Sequence, residues 1–143
     1  RKVLGEKPAA LNRRYAELGR TLGEALLEPH RCYFNDIKPV LPRVKGLAHI
    51  TGGGFEGNVP RVLPKGLGAR FRKGAWTVPP IFSLLQRRGQ IADAEMYRVF
   101  NMGLGMAVIC APEDVSRLRR SLPEAALAGE VIKQKGRTRV LID

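Results

Sequence analysis

Val44-Lys45-Gly46-Leu47-Ala48-His49-Ile50 runs directly into Thr51-Gly52-Gly53-Gly54. The first seven residues read as a strand, and the glycines as the corner that ends it. Three glycines in succession leave the backbone free to adopt positive φ, with no Cβ covering the N–H groups. Such a run can form an anion-binding nest. Beyond it, Asn58-Val59-Pro60-Arg61-Val62-Leu63 reads as a short helix with Asn58 as its cap and Pro60 in its first turn. The N-terminal field of that helix is expected to add to the loop. The spacing matches neither a Walker A loop nor the dinucleotide GxGxxG motif. On residue chemistry alone the corner is either a phosphate cradle or a bend with a packing role.

His49 and Thr51 flank Ile50, so they share one face of the strand while Ile50 points to the other. A histidine beside a phosphate nest could orient a substrate or move a proton; a hydrogen-bonded structural role is the plain alternative. His30, in a Pro29-His30-Arg31 turn, reads as structural or exposed. A second constellation is Glu95-Met96-Tyr97-Arg98-Val99-Phe100-Asn101-Met102-Gly103-Leu104-Gly105-Met106. It is either a helix C-cap with close packing, or a second wall of the same site with Asn101 as a donor and Gly103 beside it. The spacing of His, Cys and carboxylates suggests no metal site, and no serine sits in a nucleophile elbow.

Outward from this centre, strands and helices mix without strict βαβ alternation. Leu11, Tyr15, Leu18, Leu22 and Leu26 give helical spacing over 9–27, interrupted by Gly19 and Gly23. Asn35 or Asp36 is expected to cap a short helix over 37–41. A strand is predicted over 67–71, a helix over 79–88 stopped by Gly89, and a helix over 93–100 with Met96, Val99 and Phe100 on one face. A strand over 106–110 and a helix opening at Pro112 follow. The chain closes on a hairpin of 130–133 and 138–142 with its turn at Lys135-Gly136. This order predicts an α+β layered domain with a mixed sheet. One domain spans 1–143, with 1–8 as a linker or loop.

The 143 residues are 44% apolar, which excludes disorder. No run approaches the length of a membrane span. Two cysteines outside any CxxC motif point to a reducing cytosol. Lys and Arg number 25 against 13 Asp and Glu, a formal charge of +12, which favours anionic partners. The basic residues are spread along the chain and interleave with no aromatic pattern of a single-strand binder.

Taken in order, His49-Ile50-Thr51-Gly52-Gly53-Gly54-Phe55, Asn58-Val59-Pro60-Arg61-Val62-Leu63-Pro64, then Trp76, Pro79, Phe82 and the string from Glu95 to Met106 closely resemble the aminoimidazole ribonucleotide synthetase (phosphoribosylformylglycinamidine cyclo-ligase) family. Thr21-Leu22-Gly23-Glu24-Ala25-Leu26-Leu27-Glu28-Pro29 and Gly129-Glu130-Val131 extend the likeness to nearly the whole chain, as the family's C-terminal domain. The resemblance implies a layered α/β/α fold. It implies an ATP- and Mg²⁺-dependent ligase of purine biosynthesis that closes the imidazole ring of formylglycinamidine ribonucleotide. The N-terminal domain would supply most ATP and metal contacts and the main homodimer contact in a cytoplasmic enzyme, and this piece alone would be inactive. The loop residues Thr51, Gly52, Gly53 and Gly54, with Asn58, Arg61, Asn101 and Gly103, would then bind substrate through its ribose phosphate, and His49 would be the catalytic residue. Two features depart from the family: the turn Pro29-His30-Arg31-Cys32-Tyr33 stands where the family has Pro-Thr-Arg-Ile-Tyr, and the connection from 38–41 to Val44 is short, so the helix there should be stunted. Superfamily members of the thiamine phosphate kinase or selenophosphate synthetase type are one alternative. A basic nucleic-acid-binding module is the other, although the basic residues form no recognised motif.

Overall fold

The computed structural model describes residues 2–134 and 136–143. Its functional end is organised by a two-stranded antiparallel ribbon of β3 (Val44–His49) and β5 (Met106–Cys110). His49 pairs with Met106, and the Ile50 N–H donates to the Gly105 carbonyl at 2.9 Å. That register brings the glycine corner after β3 beside the turn that precedes β5. Ile50 is fully buried while His49 and Thr51 are exposed, as the period-2 alternation of a strand requires.

A three-stranded mixed sheet has β4 (Leu67–Phe71) at its centre. β6 (Gly129–Lys133) pairs with it antiparallel and β7 (Val140–Ile142) parallel. The expected terminal hairpin is therefore wrong: β6 and β7 do not pair with each other, because β4 lies between them. Alternating apolar residues identify a strand's buried face but not its neighbour. Of the expected turn, Lys135 lies outside the described residues. The Arg139 guanidinium closes this edge, donating to the carbonyls of Pro60, Leu63, Pro64 and Leu67 at 2.9–3.1 Å.

The main core joins both sheets. It contains Ala48, Ile50, Phe55, Val59, Ala69, Phe71, Met96, Tyr97 and Val140. Phe55 is its hub, with the Phe71, Trp76 and Tyr97 rings 4.9–5.9 Å away in the offset and edge-on geometries that aromatic quadrupoles favour. Helices α5 (Pro80–Gly89) and α6 (Asp93–Val99) follow β4 as expected. On α6, however, Met96 and Tyr97 are buried and Val99 is exposed. The expected apolar face is thus rotated, because Tyr97 packs on Phe55 and Trp76.

The helical spacing over 9–27 does not yield one helix. It divides into α1 (Pro8–Leu11), a small ribbon of β1 (Arg14–Tyr15) and β2 (Arg20–Thr21), and α2 (Leu22–Leu26). Gly19 takes φ 64° and turns the chain. Thr21 starts a new helix with a capping box: its hydroxyl accepts from the Glu24 N–H, and the Glu24 carboxylate accepts from the Thr21 N–H. The Thr21 N–H and, after it, the Thr21 hydroxyl both donate to the Glu24 carboxylate and hold it below its usual range. Tyr15, Leu22 and Leu84 still bury together, and Leu4 packs on them, which ties part of the expected linker to the domain. α3 (Phe34–Ile37) begins before the expected Asn35 or Asp36 cap and passes at once into a 3₁₀ turn, Lys38–Arg43. The helix is stunted, as expected from the short connection to Val44, a departure from the family pattern. A 3₁₀ turn at Pro112–Asp114 leads into α7 (Val115–Ser121), with Leu118 buried. Among the described residues no helix is long and apolar enough to cross a membrane.

Part of the positive charge is paired at the surface. Ion pairs tie Arg20 to Glu28, Arg31 to Asp36 and Glu124, Arg87 to Glu17, Arg98 to Glu95, and Arg70 to Glu130 and Asp143. Apart from Arg98 and Glu95, which share α6, the partners stand on different segments, and all are largely exposed, so each pair contributes little to stability.

Candidate functional site

The corner after β3 is a tight turn followed by a helix. The Gly54 N–H donates to the Thr51 carbonyl at 3.1 Å. Gly53, the third residue of that turn, has φ 89° and ψ 4°, the conformation a type II turn demands there and for which glycine is suited. Helix α4 (Gly54–Asn58) starts immediately. Asn58 is therefore not the N-cap of a following helix; it ends α4, and only a 3₁₀ turn, Val59–Val62, follows it. The expectation failed because the glycines themselves initiate the helix. Asn58 is buried, and its amide reaches back to donate to the carbonyls of Gly54 at 2.7 Å, Gly52 at 3.3 Å and Thr51 at 3.5 Å.

That arrangement separates the loop's polar groups. The carbonyls are gathered inward by Asn58. Among the described residues, the N–H groups of Gly52, Gly53, Phe55 and Glu56 make no hydrogen bond to the protein. The field of the first helical turn has the same sign as these donors. A compact acceptor with negative charge is the chemical complement of such a surface.

Gly54 is required for a different reason. A Cβ there would stand 2.2 Å from the Tyr97 carbonyl oxygen and 2.8 Å from the Arg98 carbonyl. The loop thus sits directly on the backbone of α6, and the two sequence constellations form one structure. The Trp76 indole N–H donates to the Met102 carbonyl at 2.9 Å. Asn101, expected as a donor, instead accepts through its side-chain oxygen from the Gly103 N–H at 3.0 Å, folding the 101–105 turn. Met102 holds φ 50°, an unusual value for a residue with a side chain. Burial pushes the Tyr97 hydroxyl above the ordinary phenol value, with Asp93 adding to the effect.

The nine residues singled out from the sequence are placed as follows. His49, Thr51, Gly52, Gly53, Gly54 and Asn58 form one corner. Asn101 and Gly103 lie in the turn that the β3–β5 register brings alongside. Arg61 is exposed on the 3₁₀ turn Val59–Val62 that follows α4. Sequence reading missed His30: its Nε2 lies 2.9 Å from the His49 Nε2, with the Tyr33 ring edge-on to both. The two histidines are nineteen positions apart in the chain, and no periodic signal links them. Trp76 is the other contributor, visible earlier only through the resemblance.

A wider concavity lies elsewhere. A groove of about 960 Å³ runs along β5 and β6 and is lined by residues such as Tyr33, Phe71, Trp76 and Ile109. It touches the 103–105 turn but none of residues 49–54. Among the described residues no group of three or more His, Cys, Asp or Glu is placed to hold a metal ion.

Residues 2–142 match the family described as AIR synthase related protein, C-terminal domain, and the chain belongs to that family. The relatives given below share one name. The phosphoribosylformylglycinamidine cyclo-ligase of Desulfitobacterium hafniense is 47% identical over 133 residues, covering 89% of this chain and 39% of that protein. The enzymes of the same name from Caldicellulosiruptor bescii and Bacillus pumilus are 46% and 45% identical, covering 99% and 96% of this chain and 43% and 42% of theirs. The chain therefore spans about two fifths of the length of the curated relatives it matches.

Proposed function

We propose that this chain is the C-terminal part of an ATP-dependent cyclo-ligase that converts formylglycinamidine ribonucleotide to aminoimidazole ribonucleotide in purine biosynthesis. The observation that carries the reading is the corner at 51–56, whose carbonyls are held by Asn58 and whose N–H groups are left to a ligand. A ribose phosphate suits it in charge and size. In this reading the loop fixes the substrate's phosphate, and His49 stands next to it to orient the substrate or move a proton. Asn101 and Gly103 shape the adjoining wall. Catalysis then rests on positioning and charge neutralisation.

ATP phosphorylates the formyl oxygen, the amidine nitrogen closes the ring, and phosphate leaves. Mg²⁺ prefers oxygen ligands, and the described residues offer no carboxylate cluster for it. ATP and metal contacts are accordingly assigned to an N-terminal domain, consistent with the greater length of the relatives. The whole protein is read as a cytoplasmic homodimer.

The test is substrate-dependent release of ADP or AMP from ATP by the whole enzyme containing this chain, with Mg²⁺. Release is expected with formylglycinamidine ribonucleotide and not with thiamine phosphate or selenide. Release with either of the latter alone would overturn the assignment. The common name of these relatives favours the cyclo-ligase over those alternatives and over a nucleic-acid-binding module.

A further inference from the structure

The chain contains two histidines, and the fold brings them face to face. The His30 and His49 Nε2 atoms are 2.9 Å apart, with ring centroids at 5.0 Å. His49 ends β3, and His30 lies on the irregular connection after α2. Gly105 makes the meeting possible: a Cβ there would stand 2.2 Å from the Tyr33 hydroxyl and 3.0 Å from the His30 ring. Tyr33 backs both rings, with centroids 5.7 and 6.4 Å away.

Two neutral imidazoles in this arrangement share one hydrogen bond, with one nitrogen donating and the other accepting. The same two nitrogens are the preferred donors for a late first-row transition metal. Metal–nitrogen distances of about 2.0–2.1 Å imply an N···N separation of about 2.9 Å at a right-angled bite and about 3.3 Å at a tetrahedral one. The observed separation lies at the lower of these values. Both side chains are exposed, so the rings can swing apart by a few tenths of an ångström without disturbing the core.

We propose that His30 and His49 form a two-histidine site for a divalent transition metal of the Zn²⁺, Ni²⁺ and Cu²⁺ group, at the edge of the glycine corner. Two protein ligands leave the remaining coordination positions to water or to an anionic ligand. The site differs in kind from a Mg²⁺ site, which needs oxygen donors. Affinity follows Cu²⁺ above Ni²⁺ and Zn²⁺.

The experiment is titration of the 143-residue chain with Zn²⁺ and with Cu²⁺, in parallel with His30→Thr and Cys32→Ser. One ion per chain is expected, with affinity reduced about 100-fold in His30→Thr, since the second ligand acts at high effective concentration once the first is bound. Cys32→Ser should bind as the parent does. Binding of equal strength in His30→Thr, whether held by Cys32 or by surface carboxylates, would overturn the proposal, as would failure of the parent to bind. A second readout does not depend on a variant folding. The chain gives two histidine C2–H resonances in the proton NMR spectrum, and Zn²⁺ must shift both over the same sub-stoichiometric range. Movement of one or neither would also overturn it.

Discussion

Gly54→Ala tests the packing of the glycine corner on α6. Two costs add. The residue holds φ 54°, and an L side chain in the left-handed region costs about 1–2 kcal/mol. The new methyl would also lie 2.2 Å from the Tyr97 carbonyl oxygen and 2.8 Å from two atoms of Arg98. Those atoms belong to helix backbone and cannot rotate away, so α4 must lift from α6, an overpacking cost of about 1–3 kcal/mol. The sum is about 2–5 kcal/mol, a large part of the ~5–15 kcal/mol that holds a typical domain together. At about 3 °C per kcal/mol for a chain of this size, Tm should fall by about 6–15 °C. Differential scanning calorimetry measures it, with Gly52→Ala as the control. A Cβ at Gly52 meets nothing within 4 Å and its φ is not positive, so that variant should stay within about 0.5 kcal/mol of the parent. If Gly54→Ala melted within a degree or two of the parent, or if Gly52→Ala fell as far, the reasoning would be refuted.

Other outcomes follow from the same structure. Asn58→Ala leaves three loop carbonyls without their buried donor and should lose about 1–3 kcal/mol in urea unfolding; a neutral result would remove Asn58 as the organiser of the loop. Arg139→Ala breaks four bonds from a charged donor to the carbonyls of 60–67 and should cost at least ~2 kcal/mol by the same assay, whereas an ordinary exposed arginine would cost almost nothing. Cys32 is exposed, while burial, reinforced by Asp114 and Glu113, pushes the Cys110 thiol above its ordinary value. Because the thiolate is the nucleophile, iodoacetamide mapped by mass spectrometry should modify Cys32 first. Reaction at Cys110 should lag at neutral pH and quicken as pH rises; equal rates would contradict that burial.

The strand 44–49, its glycine ending, β4, α5 and β5 were legible in the sequence because each is coded by a local pattern. Local pattern failed where partners are distant. The apolar alternation of 129–133 and 140–142 marks two strands, but nothing in it shows that β4 separates them. The leucine spacing over 9–27 reports a shared buried face, and Gly19 with the Thr21 capping box breaks the backbone that the spacing suggested. Asn58 is a good cap by residue type; its burial against the loop depends on α4 starting at Gly54, which in turn depends on contact with Tyr97. The His30–His49 pair arises from an irregular connection crossing a glycine, and that has no periodic signature.

The central claim is that the 51–56 corner holds a ribose phosphate. Isothermal titration of formylglycinamidine ribonucleotide into the whole enzyme carrying Gly52→Val tests it most directly, because a Cβ at Gly52 meets no heavy atom within 4 Å. The account predicts an unchanged melting temperature with affinity weakened at least ~10-fold, the equivalent of about 1.4 kcal/mol. Unchanged affinity in that folded variant would contradict it.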